Sequence, residues 1–205
     1  MSVTRSSDLT TLAFYDAHAQ EYCESTLRMD LHGLYEPFLK ELNRGAHILD
    51  AGCGSGRDTK AFLKRGFRVT AIDASPQLAR LATAFTGQRC RVLCFQEMKF
   101  REQFDGVWAS ASLLHVPRRE MHEVMPRFIQ ALKPGGDFYI SLKEGEGECI
   151  AEGGRFFSYY TADSFRELLA CFPALHETSF WKTSQIRSRQ HSGPWLNFLL
   201  RKVGR

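Results

Sequence analysis

Proline, paired cysteines, long apolar runs and a charge excess of either sign are all scarce in this chain. Its 205 residues include only 7 Pro and 6 Cys. Cys23, Cys53, Cys90, Cys94, Cys149 and Cys171 are scattered and form no Cys-x-x-Cys pair, so no structural zinc or other metal site is expected. Met1 to Thr11 is polar and lacks the apolar stretch of a secretory leader, which with this length argues against a disulfide framework. Nowhere do about 18 apolar residues run together, the length needed to cross a bilayer. The 27 Lys and Arg against 23 acids leave only +4, too little by itself to imply nucleic-acid binding. These absences predict a reduced, cytoplasmic protein. With 24% charged and 43% apolar residues, disordered, collagen-like and coiled-coil classes are excluded as well.

What remains is a chain of the right size for one domain, 1–205, rich in Phe and Gly at 16 each. Leu9 to Tyr22 reads weakly as a helix. From Asp30 to Asn43, apolar residues recur every three or four positions, the stripe of an amphipathic helix, with Pro37 expected to kink it. After Gly45, short apolar runs alternate with helical patterns. His47–Ala51, Phe67–Ile72, Cys90–Phe95, Phe104–Ala109 and Asp137–Leu142 read as strands. Ser75-Pro76 is a helix start, with Ser as N-cap and Pro at the first helical position. Arg118 to Leu132 is helical, bent at Pro126, and Lys133-Pro134-Gly135-Gly136 is a turn. Because parallel neighbours need crossover connections, this order predicts a doubly wound, Rossmann-like α/β sheet of seven mostly parallel strands. Ala162 to Cys171 is a last helix. Leu175 to Ile186 and Trp195 to Arg201 then look like an antiparallel hairpin at the sheet edge. Residues 1–44 are expected to form a helical flap, 45–143 the core and 144–205 the acceptor side.

The stretch that carries chemistry is Asp50-Ala51-Gly52-Cys53-Gly54-Ser55-Gly56-Arg57, where a strand ends, glycines alternate with small residues and a helix begins. Such a turn lets a ligand approach the backbone at a helix N-terminus. Asp73 ends the next strand, the position where doubly wound sheets hold a ribose diol. The glycine spacing, Gly-x-Gly-x-Gly, differs from the pyrophosphate-binding Gly-x-Gly-x-x-Gly. An acid two residues before the first glycine suits a cationic ligand better than a pyrophosphate.

Asp50 to Gly56 followed by Asp73 resembles the first motifs of the class I methyltransferases, which use S-adenosylmethionine (SAM) and leave S-adenosylhomocysteine. Gln96-Glu97-Met98, Phe104-Asp105-Gly106-Val107 and Leu132-Lys133-Pro134-Gly135-Gly136 continue the likeness in order, and it covers Phe14 to Leu142. Within the superfamily the chain looks most like the tellurite-resistance-type and related small-molecule methyltransferases. The resemblance implies that Gly52 and Gly54 lie against the methionine part of SAM, with Asp50 near its ammonium and Arg57 near its carboxylate or in a solvated pair. It implies Asp73 on the ribose, Ala74, Glu97 and Met98 at the adenine, Ser110 facing the cofactor, and Tyr22 with Tyr15 and His18 on the flap.

Methyl transfer is an in-line displacement that depends mainly on alignment, and no catalytic triad is visible. His115, in Ala111-Ser112-Leu113-Leu114-His115 at the carboxyl edge of the sheet, is the candidate for direct participation, as a base or as a residue that shapes the cavity. Cys90 and Cys94 read as core cysteines rather than a metal pair. Phe156 to Tyr160 is placed to wall an apolar substrate. Lys182, Arg187, Arg189, Arg201, Lys202 and Arg205 follow or flank the last acid, Glu177, and suggest an anionic acceptor or RNA. The expected function is methyl transfer to a small molecule, by a monomer or homodimer. The alternatives are a tRNA methyltransferase and a catalytically silent SAM-binding partner protein.

Overall fold

The computed structural model describes residues 6–184 and 194–204. The central sheet holds seven strands in the order β3-β2-β1-β4-β5-β9-β8. These are β1 (His47–Ala51), β2 (Arg68–Asp73), β3 (Cys90–Val92), β4 (Phe104–Ser110), β5 (Leu132–Lys143), β8 (Leu175–Thr183) and β9 (Trp195–Lys202). The five strands from β3 to β5 run parallel, and β9 is antiparallel to both β5 and β8. The doubly wound sheet with an antiparallel end is therefore the architecture observed. β1 is buried from Ile48 to Ala51, as befits a strand covered on both faces.

Helices α4 (Arg57–Lys64), α5 (Pro76–Thr86), α6 (Met121–Ala131) and α7 (Ala162–Ala170) accompany the sheet. The start of α5 follows the local chemistry: Ser75 Oγ accepts from the N–H of Leu78, Pro76 occupies the first turn, and Gly87 closes the helix at φ 76°. Thr161 and Ser164 form a reciprocal capping box on α7. One face of the sheet packs Trp108, Tyr139, Phe38 and Phe62 into a fully buried cluster. In it the Trp108 and Tyr139 rings stack at 3.9 Å. Much of the phenylalanine content is core.

Several boundaries differ from the sequence reading. The first helical segment is two helices, α1 (Ser6–Ala17) and α2 (Ala19–Thr26), because His18 leaves helical dihedrals at φ −113° and ψ 20°. The next, α3 (His32–Leu39), is shorter than the expected Asp30 to Asn43 and carries Pro37 inside it. β3 stops at Val92, and a one-turn helix at Phe95–Glu97 replaces its expected end. The turn at Lys133 to Gly136 lies inside β5 as an irregularity, where pairing with β4 jumps from Phe104↔Leu132 to Gly106↔Asp137. A short hairpin, β6 (Glu148–Ile150) with β7 (Phe156–Ser158), was not expected; its strands are too short to show a period. Ile186, Arg187, Arg189 and Arg205 lie outside the described residues.

Candidate active site

The glycine turn hangs from β2. The N–H groups of Gly52 and Cys53 both donate to the Ile72 carbonyl, at 2.9 and 3.0 Å. Gly52 sits at φ 78° and Gly54 at φ 52°, conformations that side chains strain to adopt. A Cβ on Gly52 would stand 2.5 Å from Ser112 Cβ, and one on Gly54 would stand 3.1 Å from the Tyr22 ring. The turn thus presents bare backbone beneath two side chains.

Asp73 locks this turn to the next one. Its carboxylate accepts from Gly54 N–H at 2.8 Å and from Ser75 N–H at 2.9 Å. Burial pushes its carboxyl up to about 6, against the backbone N–H groups of Ser75, Gly54 and Ala74. Helix α1 reaches the same place: Asp16 Oδ1 accepts from Ser75 Oγ, and from Gln77 N–H at 3.2 Å.

A cavity of about 400 Å³ opens in front of these groups. Of the residues singled out by sequence, Gly52, Gly54, Asp73 and Ala74 line one wall. Tyr22, Glu97 and His115 line the others. Asp50, Arg57, Met98 and Ser110 do not line it. Asp50 is buried behind the turn, where Thr59 Oγ1 donates to it at 2.5 Å. Its burial and the neighbouring Asp58 carboxylate push its carboxyl up to about 8. Arg57 turns away and grips Asp58 through Nε at 2.6 Å and Nη2 at 3.0 Å, so it is neither a solvated pair nor part of the cavity wall. Met98 packs into the core with its carbonyl taken by Arg127.

Sequence reasoning missed Ser112. Its hydroxyl is buried without a hydrogen-bond partner and lies on the cavity wall beside Gly52. The preceding Ala111 is held at φ 52° while its N–H donates to Ser141 Oγ at 2.8 Å. A non-glycine residue in this region is a strained one. Nothing in the pattern Ala-Ser-Leu-Leu announces it.

His115 is half-buried between two partners of different kind. The Phe156 carbonyl stands 2.7 Å from Nδ1 and the Tyr15 hydroxyl 2.8 Å from Nε2. A carbonyl only accepts, so Nδ1 carries the proton and Nε2 accepts from Tyr15. Burial, with Arg155 and Lys143 adding to it, brings the ring down to about 4, and the ring is neutral at physiological pH.

The described part of the basic C-terminal cluster is not a free cationic surface. Arg201 pairs with Asp137 at 2.8 Å and Glu41 at 2.9 Å. Lys182 pairs with Glu144 at 2.6 Å, and Lys202 donates to the Leu132 carbonyl at 2.7 Å.

A family described as a methyltransferase domain matches residues 48–136. That match takes in the glycine turn, Asp73 and His115 and is somewhat less than half of the chain. The ubiquinone biosynthesis O-methyltransferase of Xanthomonas campestris is 32% identical to it over 104 residues, 47% of this chain and 43% of that protein. The matched region thus spans less than half the length of the curated relatives. Among solved structures, a 1,6-didemethyltoxoflavin-N1-methyltransferase from Burkholderia thailandensis, bound to 1,6-didemethyltoxoflavin and S-adenosylhomocysteine, superposes with a TM-score of 0.74. It is 24% identical and covers 99% of this chain and 92% of its own. A TehB-like SAM-dependent methyltransferase from Corynebacterium glutamicum has a TM-score of 0.70 at 20% identity, covering 91% of this chain and 98% of its own. These two share the fold.

The cavity offers groups that fit SAM. Asp73 is a fixed carboxylate of the kind that takes a diol, the glycine turn is bare backbone, and the Ser112 hydroxyl lacks a partner. Among the described residues no cluster of three or more His, Cys, Asp or Glu is arranged to hold a metal ion. None of the described helices is long and apolar enough to cross a membrane.

Proposed function

We propose that this protein transfers a methyl group from SAM to a heteroatom of a small-molecule acceptor by in-line displacement. The observation that carries this reading is the pair of opposed groups in one cavity: the Asp73 carboxylate held by Gly54 and Ser75, and the unprotonated Nε2 of His115. SAM supplies an electrophilic methyl carbon on a sulfonium. In this reading Asp73 binds the ribose hydroxyls, Ala74 and Glu97 meet the adenine, and Met98 supports them from the core. Gly52, Gly54 and Ser112 receive the methionine end, with Tyr22 packed over the turn. Ser110 serves through the backbone at the end of β4. Asp50 acts from behind the turn through Thr59, and Arg57 anchors the first helix instead of reaching the cofactor.

His115 then orients the acceptor and takes its proton. A ring held near 4 is a weak base toward a resting hydroxyl or amide-like N–H. Once the new bond to carbon is forming, the attacking atom gains positive charge and its proton becomes strongly acidic. Transfer to Nε2 late in the displacement therefore suffices. The acceptor stays small because the cavity of about 400 Å³ holds the cofactor as well.

Calorimetry with S-adenosylhomocysteine tests the cofactor half, and turnover of methyl-labelled SAM against small phenols and heterocycles tests the transfer. Asp73→Ala is expected to weaken binding by on the order of tenfold to a hundredfold, the loss of charge-assisted hydrogen bonds. No binding to the native protein, or an unchanged affinity in the variant, rejects this reading.

A further inference from the structure

Tyr15 belongs to the flap helix α1 and His115 to the loop after β4, yet their side chains meet at 2.8 Å. The contact has a direction. Phe156 takes the Nδ1 proton, so Tyr15 is the donor and Nε2 the acceptor. The Nδ1 proton and the Tyr15 hydroxyl hydrogen are therefore both committed, and the histidine lone pair is satisfied by a phenol. The flap thus places a neutral aromatic hydroxyl on the Nε2 that lines the cavity.

The charges around the cavity restrict what else can stand there. The charged side chains that line it are Asp73, Glu97, Glu120 and Glu123, with no lysine or arginine among them. An anion in this space meets these carboxylates directly, while Arg155 and Lys143, the cations that act on His115, do not line the cavity. Leu12, Phe95 and Val116 supply apolar wall.

We propose that the methyl acceptor is a neutral aromatic ring bearing an O–H or N–H group, which replaces the Tyr15 hydroxyl as the donor to His115 Nε2, and that Tyr15 is the positioning residue that holds this histidine ready. The inference rests on the methyl-transfer reading above and names its acceptor class. In the step itself the acceptor's lone pair forms the new bond to the methyl carbon, the carbon–sulfur bond breaks with its electrons left on sulfur, and the acceptor's proton passes to Nε2. The imidazolium so formed lies in the field of Arg155 and Lys143, which favours release of its proton.

Long-range proton–nitrogen NMR of histidine-labelled protein, saturated with S-adenosylhomocysteine, reads both ring nitrogens directly. Phenol, aniline and benzoate serve as matched probes. Phenol and aniline are expected to shift the His115 Nε2 resonance while Nδ1 stays protonated, and benzoate is expected to leave it unmoved. In Tyr15→Phe the competing donor is gone, so phenol binds about fivefold more tightly, the value of one hydrogen bond. The His115 pKa rises in that variant, because the neutral ring loses the bond that favoured it. A benzoate response equal to that of phenol, or no Nε2 response to phenol or aniline, overturns the inference. Titration of the native protein decides this even if Tyr15→Phe folds poorly. Failure to saturate with S-adenosylhomocysteine rejects instead the methyl-transfer reading on which it rests.

Discussion

The carboxylate of Asp58 accepts a hydrogen bond from the Trp108 indole N–H at 2.9 Å, across 50 residues of chain. The same carboxylate accepts from Tyr35 at 2.6 Å and from Arg57 at 2.6 and 3.0 Å. It thereby ties α3, the first turn of α4 and the centre of β4 to one point. Burial pushes this carboxyl up, but Arg57, Tyr35 and Trp108 outweigh it and hold it below the usual range. The charge also sits at the favourable end of α4.

Removing that carboxylate leaves a buried guanidinium and two buried donors without their acceptor. Asp58→Ala is expected to cost about 3–5 kcal/mol of stability. Tyr35→Phe deletes one donor only and should cost about 1 kcal/mol. Urea unfolding of both variants checks the ratio; equal losses would show that Asp58 is not the hub.

Asp50 gives a dependence on pH whose sign follows from its burial. Its folded-state carboxyl lies at about 8 against an ordinary 3.8, so between these values the folded protein binds more protons than the unfolded chain. Stability therefore falls as pH rises through that window. His115, lowered to about 4 from 6.5, acts in the opposite sense, but only below 6.5. Asp73, at about 6, has given its full effect by then. From pH 6.5 to 8 the native melting temperature should decline, and Asp50→Asn should flatten that decline. Parallel melting curves for the two proteins over this range would refute the assignment.

Gly52 tests the cradle from the backbone side. Gly52→Ala adds a Cβ at φ 78° and 2.5 Å from Ser112 Cβ. The dihedral alone costs about 1–2 kcal/mol. Weaker S-adenosylhomocysteine binding is expected by calorimetry, with partial recovery when Ser112→Gly removes the clash. Full affinity in Gly52→Ala would mean that the turn does not receive the ligand.

The succession of strands along the chain and the glycine turn were legible because local signals agree there: a buried strand, a Gly-rich turn and an N-capped helix each need particular residue types. The Ser75 cap was readable for the same reason. Asp58 was not, since its partners Tyr35 and Trp108 come from distant segments and only folding brings them together. The direction of Arg57, open in the sequence between the cofactor and a helix-start pair, depended on that meeting. Ser112 escaped because its exposure to the cavity follows from a strained Ala111, a conformation that alanine does not advertise. The β6–β7 hairpin was hidden by its three-residue strands.

Tyr15 and Asp16 are consecutive, yet one reaches His115 and the other the cap of α5. Both contacts are made by the last turn of α1, so a single stretch of backbone joins the loop after β4 to the start of α5. A substitution that displaces this turn disturbs both sites together, and a loss at one of them is a poor guide to which contact was broken.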